Sequence, residues 1–305
     1  MKNNKLLVYL LATFAMLFWS FSFIWIKIAF RLYRPLTIIF IRLIIATVIL
    51  IIFEKLLKKK KKIRKEDMKT FFLLAFLEPF CYFIGESFGM QYVQATLGAI
   101  IISTIPLFTP IFSRIFLKEK ITKFTIIGII GAFLGVVLIL YEDFKGESSL
   151  LGIFLLIFAV FSGINFGILL KKISHKYSSI TIIKTQSYLG LLYFFPLFMI
   201  FDFQKAIAAP LDLQVLSSIF ALGLFGSSLA FIFMTIAVRN IGVTNANVFA
   251  NLIPVFTAVI SYYILGEPLI LKKVIGIVIV VISLFLSQLP KLFMMYRTRK
   301  NRAEI

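Results

Sequence analysis

The sequence is dominated by a succession of apolar stretches separated by short polar or basic segments. A helix needs about 20 apolar residues, within a range of roughly 17–25, to cross the hydrocarbon core of a bilayer. Ten stretches meet that requirement, near positions 6–26, 36–53, 70–92, 97–117, 124–141, 150–170, 181–201, 214–238, 244–265 and 273–289. The third and fourth are divided by a tight turn at Tyr92–Thr96, the eighth and ninth by Arg239–Thr244. Apolar residues make up 61% of the 305, and mean hydropathy is +1.01, which leaves too little polar surface for a single soluble core. The first stretch has no small-residue cleavage site and is followed by many others, so it reads as a retained first helix and not as a signal peptide.

The net charge of +20 raises nucleic acid as a partner, and its distribution argues against one. Lysine and arginine flank the apolar stretches, as they do where positive charge orients a membrane protein. With a cytoplasmic N-terminus, the inner segments hold 23 of these residues and the outer segments 7. The Lys55–Lys69 loop, with its Lys58–Lys62 run, is the strongest anchor. Both termini are then cytoplasmic, and the lipid bilayer is the main partner. Cys81 is the only cysteine and His175 the only histidine, which leaves little from which to build a metal site or a nucleophilic triad. No glycine-rich phosphate loop is present, so ATP is not a direct driver. These features argue against an enzyme, and no cofactor or metal is implied.

Sliding the chain against itself by 148 positions aligns Thr96–Gly128 with Thr244–Gly276 without a gap. Pro106/Pro254, Thr109/Thr257, Ser113/Ser261, Glu119/Glu267 and Gly128/Gly276 coincide. Such matches are less expected by chance than apolar ones. The reading is an all-α integral membrane fold of two five-helix repeats, residues 1–145 and 146–305, the second carrying a basic C-terminal tail. Because five is odd, the second repeat enters the membrane inverted, an arrangement that places a substrate cavity near the midplane. Pro106 and Pro254 fall near the middle of their stretches, where a proline removes a backbone hydrogen bond and kinks the helix. These kinks either move during transport as gates or shape the bundle statically.

These residues carry a resemblance. Trp19-Ser20 and Phe23…Lys27, Arg42, and the stretch from Thr96 through Pro106 to Glu119 resemble EamA-type members of the drug/metabolite transporter superfamily. Asn247…Pro254…Gly266-Glu267-Pro268 is similar to the other half of the same family. Phe161-Ser162 departs from it, where tryptophan or alanine would be common. The resemblance implies ten helices around a central cavity and outward movement of small metabolites, often amino acids, across a bacterial inner membrane.

Charged groups near a bilayer centre cost roughly 2.5–3.5 kcal/mol on insertion scales and so face the bundle interior. On a continuous helix Glu78, Tyr82, Gly85, Glu86 and Gly89 share one face, with the carboxylates about 12 Å apart along the axis. One reading makes this a cavity face, where a carboxylate binds a cationic group or carries a coupling proton. The other pairs Glu86 with Arg42, which lies at similar depth. At the 148-residue offset Gly226 and Met234 stand opposite Glu78 and Glu86, whereas Asn247 and Asn251 stand opposite Ala99 and Ser103. Asn165 and Gln186 add amides, and Trp19 either stacks on substrate or fills a helix interface. The expected function is a secondary transporter of a small molecule; the alternative is a lipid-handling or scaffold protein.

Overall fold

Inside a bilayer the backbone must satisfy its own hydrogen bonds, and a chain this apolar does so as helices. The computed structural model describes residues 5–57, 63–109, 112, 123–143, 149–174, 176–283 and 285–286, and those are helical apart from short connections. The Lys58–Lys62 run, Ser113, Glu119, Lys145, His175 and both chain ends lie outside the described residues.

In chain order the helices are α1 (Lys5–Ala29), α2 (Pro35–Leu56), α3 (Lys65–Ala75), α4 (Tyr82–Gly89) and α5 (Ala95–Ile102). Then come α6 (105–109), α7 (Lys123–Asp143), α8 (Leu150–Ile173), α9 (Ser179–Phe201) and the short α10 (Phe203–Ala208). The series closes with α11 (Leu213–Ala221), α12 (Ala230–Val248), α13 (Leu252–Leu265) and α14 (271–283). Helices thus lie within each apolar stretch read from the sequence. Among the described residues, five helical runs are long and apolar enough to cross a membrane: Leu6–Ala29, Pro35–Leu56, Lys65–Gly89, Leu150–Leu170 and Leu213–Ile241.

The ends of the helices follow local chemistry. Pro35 opens α2, where its missing N–H costs nothing. The side chains of Ser149, Ser178 and Asp212 accept from backbone N–H groups in the first turns of α8, α9 and α11. Gly266, at φ +69°, closes α13 in the left-handed conformation that glycine adopts without strain. The α4–α5 turn falls at Met90–Gln94, two residues before the Tyr92–Thr96 read from the sequence.

Three interruptions matter for function. Between α3 and α4, Phe76–Cys81 forms a wide π-helical turn, and Glu78 within it is extended at φ −144°, ψ 119°. The residue before a proline avoids the helical region, and Pro79 follows. A second wide turn, Leu222–Leu229, joins α11 to α12. The third kind is a pair: Ser103–Thr104 separates α5 from α6, and the 3₁₀ turn Phe249–Asn251 separates α12 from α13. Pro106 and Pro254 lie just beyond these breaks, each in the first turn of the helix that follows. They do not sit within an unbroken helix, and the bend lies upstream of the ring. Ser103 and Thr104 hydroxyls donate to the carbonyls of Ile100 and Ile101 at 2.7 and 2.6 Å, bridging their break.

One boundary differs from the sequence reading. Arg239–Thr244 is helical, and α12 runs on to Val248. Arg239 looks like a loop residue, yet its guanidinium donates to the carbonyls of Ser174 and Tyr177 at the C-terminal end of α8, where cations are favoured.

The main apolar core gathers Met16 and Ile24 of α1, Ile38 and Leu43 of α2, Ile100 of α5, Phe194 of α9 and Leu222. α2 packs along α9, α4 along α8, and α1 along α12 and α13. The outer surface is itself apolar, with Phe133, Phe154, Ile200 and Phe201 mostly exposed. A soluble protein would have to hide such a surface, whereas a lipid-facing one keeps it.

Candidate functional site

Arg42 organises the interior. It projects from the middle of α2 and is only 3% exposed. Its Nε donates to Ser227 Oγ at 2.9 Å, its Nη1 lies 3.5 Å from Glu86 Oε2, and its guanidinium sits 4.0 Å above the Phe83 ring. Tyr82 Oη donates to Glu86 Oε1 at 3.2 Å, one turn along α4. Arginine suits this position because its planar fork can hydrogen-bond and stack at once. Charge, hydroxyl and ring together offset the desolvation of the guanidinium.

Beside this cluster is a cavity of about 10 Å3, room for one water-sized body. Glu78 and Pro79 line it from the wide turn before α4, Gln186 and Ser187 from α9, and Ser227 and Phe231 from the second wide turn and α12. Glu78 is 5% exposed and Gln186 is 4% exposed, and Gln186 Oε1 has no hydrogen-bond partner. Among the described residues, no donor hydrogen-bonds Glu78 either.

The helical face expected for the third stretch therefore divides. Glu78 leaves the helix and lines the cavity. Glu86, expected there as well, instead belongs to the Arg42 pair. Gly85 and Gly89 face α8: a Cβ at Gly85 would stand 2.5 Å from the Leu155 carbonyl oxygen, and one at Gly89 2.9 Å from that of Gly152. Both glycines serve close helix approach.

Of the remaining candidates, Trp19 packs edge-on to Phe231 at 5.3 Å and so borders the cavity wall through that ring. Asn165 donates to the Phe161 carbonyl one turn back on α8 and does not join the cluster; a polar side chain on a helix can satisfy itself locally. Asn251 is fully buried in the 3₁₀ turn, apart from the cavity lining. The side chain of Asn247 lies outside the described residues. The sequence reading missed Pro79, Phe83, Ser187, Ser227 and Phe231. Only Pro79 gave a signal, since a proline following an acidic residue marks a helix break.

Other ionic contacts hold the helices to one another. Glu267 caps α5: Ala95 N, Thr96 N and Thr96 Oγ1 donate to its carboxylate at 2.6, 3.1 and 2.6 Å. A carboxylate is favoured at that positive helix end. Lys184 pairs with Glu54 at 2.7 Å between α9 and α2. Lys176 pairs with Asp67 at 2.7 Å, and that hydrogen bond holds the lysine ammonium above its usual pKa.

Comparison with known proteins agrees with this architecture. The profile of the EamA-like transporter family matches residues 6–141 and again 150–289. A protein of Archaeoglobus fulgidus described as an uncharacterized transporter is 27% identical over 88% of this chain and 94% of its own length. The uncharacterized transporter YetK of Bacillus subtilis is 30% identical over 74% of this chain and 70% of its own. A protein of solved crystal structure, 12% identical, shares the fold over 92% of this chain and 98% of that one at a TM-score of 0.71. With two profile matches that span nearly the whole chain, this multi-pass membrane protein belongs to the EamA-like transporter family.

Proposed function

We propose that the chain is a secondary transporter that moves a small metabolite, an amino acid or a related compound, outward by alternating access. The observation that carries this reading is the buried cavity into whose mostly apolar lining polar side chains of both segments are set. Glu78 and Arg42 come from residues 1–145, Gln186 and Ser227 from residues 146–305, so any relative movement of helices from the two segments reshapes it. Two five-helix repeats of opposite orientation, ten spans in all, fit the double profile match. They also fit the recurrence of the wide turns and the pre-proline breaks at the 148-residue spacing. Lysine and arginine placement orients both termini toward the cytoplasm of a bacterial inner membrane. Pro106 and Pro254, next to their breaks, act as hinges for the helices that bound the cavity.

Glu78 is better placed than Glu86 to bind a cation or carry a coupling proton, because Glu86 is already engaged by Arg42 and Tyr82. Purified protein in vesicles, loaded with a metabolite mixture and assayed with and without a pH gradient, tests the reading. Transport predicts protein-dependent efflux, accelerated by a gradient if protons are coupled. Efflux no faster than from protein-free vesicles overturns it.

A further inference from the structure

The cavity has a chemical sign. Two of its buried lining residues carry an acceptor that receives no hydrogen bond among the described residues, the Glu78 carboxylate and Gln186 Oε1, with the Ser187 hydroxyl beside them. An ionised carboxylate has no donor to offer, so a guest that donates can satisfy both acceptors at once.

Charge points the same way. Two carboxylates, Glu78 and Glu86, face one guanidinium, Arg42, and Arg42 is placed on Glu86. Of the other cations on these helices, Lys184 is held by Glu54. One buried carboxylate is left without a counter-charge of its own, an arrangement that low dielectric penalises until a proton or a cation neutralises it. The space beside Glu78 is that of a single water-sized group, which matches an ammonium head and excludes a quaternary one. Phe231 lines the same space and offers a ring to a cation.

We propose that Glu78 and Gln186 form the receptor for a primary ammonium group, so that the transported class is amines, the rest of the substrate occupying space that opens when the helices move apart. This rests on the transport reading above. Glu78 supplies the counter-charge and Gln186 the second acceptor, while Arg42 and Glu86 neutralise each other beside them.

The test uses purified full-length protein in lipid nanodiscs and reads thermal midpoint against added methylammonium chloride, tetramethylammonium chloride or sodium chloride at equal ionic strength. Ligand binding to the folded state raises the midpoint. Methylammonium should raise it and the other two salts should not. The concentration for half the effect should rise at least tenfold in Glu78→Gln and severalfold in Gln186→Leu. It should stay unchanged in Tyr188→Phe on the exposed side of α9. Equal shifts from all three salts overturn the proposal, as does a folded Glu78→Gln variant with the wild-type response. If Glu78→Gln does not fold, Glu78→Asp decides, and an unshifted half-effect concentration there overturns it. Efflux from vesicles loaded with both amines and amine-free organic acids separates the two readings. Protein-dependent efflux of the acids alone overturns the ammonium assignment and leaves transport standing. No efflux of either overturns transport, and with it the amine's role as substrate, whatever the thermal response.

Discussion

The wide turn before α4 and the wide turn before α12 stand 148 residues apart and do opposite things with one geometry. In Phe76–Cys81 the turn is made by Pro79, and the residue it frees is Glu78, a carboxylate. In Leu222–Leu229 it is made by small residues, and Gly226 stands opposite Glu78. Ser228 Oγ donates to the Gly223 carbonyl five residues back at 2.8 Å, satisfying an acceptor that the widened turn releases. A Cβ at Gly226 would collide with the Ser22 hydroxyl and stand 3.7 Å from an Arg42 guanidinium nitrogen, and Ser227 Oγ accepts a hydrogen bond from Arg42 Nε. One turn presents a carboxylate, and the other holds the guanidinium that pairs with the neighbouring Glu86. The two turns share a backbone form and differ in the side chains they present.

The sharpest way to break that division is to remove the charge the second turn accommodates. Arg42→Met strands Glu86 in a low dielectric and should cost about 3–5 kcal/mol of stability, with most of it recovered in the Arg42→Met/Glu86→Gln double variant. Denaturant titration in mild detergent measures both. A fully stable single variant would mean that the pair contributes nothing.

Filling the space tests the other side. Gly226→Val puts methyl groups where Ser22 and Arg42 now lie, with an expected cost of about 1–3 kcal/mol. A neutral outcome in the same titration would show that the room at Gly226 is not needed. Ser228→Ala should cost less, about 0.5–1.5 kcal/mol, because only one hydrogen bond to a released carbonyl is lost. Amide hydrogen exchange across residues 222–230 should quicken; unchanged exchange would mean that the wide turn holds without its hydroxyl.

The smallest stability effect belongs to Pro254→Ala. Pro254 sits in the first turn of α13, where no backbone donor is needed, so stability should change by less than about 1 kcal/mol. If the break before it is a hinge, turnover falls while half-saturation holds. Unchanged turnover assigns the proline to static packing.

The all-helical, apolar character of the fold is legible in the sequence because hydrophobic length is a direct constraint, and five of the ten stretches hold helical runs of spanning length among the described residues. The meeting of Arg42 with Glu86 is one of the two readings the sequence leaves open, suggested by their similar depth. The position of Glu78 was not legible, because a helical projection assumes an unbroken helix and Pro79 invalidates it. Ser227 gave no signal, since an isolated serine in a membrane helix can bond to its own backbone, as Ser20 and Ser22 do. Asn165 misled for the converse reason: its amide is satisfied locally. Arg239 misled because a cation that caps a distant helix reads, in one dimension, as a loop.

The contact between α4 and α8 bears on how such a molecule can move. Gly85 and Gly89 bring the two backbones so close that a methyl group could not be inserted, and Tyr92 and Val93 close over Gly152 in the same seam. Surfaces packed backbone to backbone do not slide, since any shift drives side chains into carbonyls. α4 and α8 therefore travel together, although one precedes residue 145 and the other follows it. If the bundle rearranges as proposed, the body that carries α4 and α8 takes helices from both sides of residue 145, and the moving seam runs elsewhere.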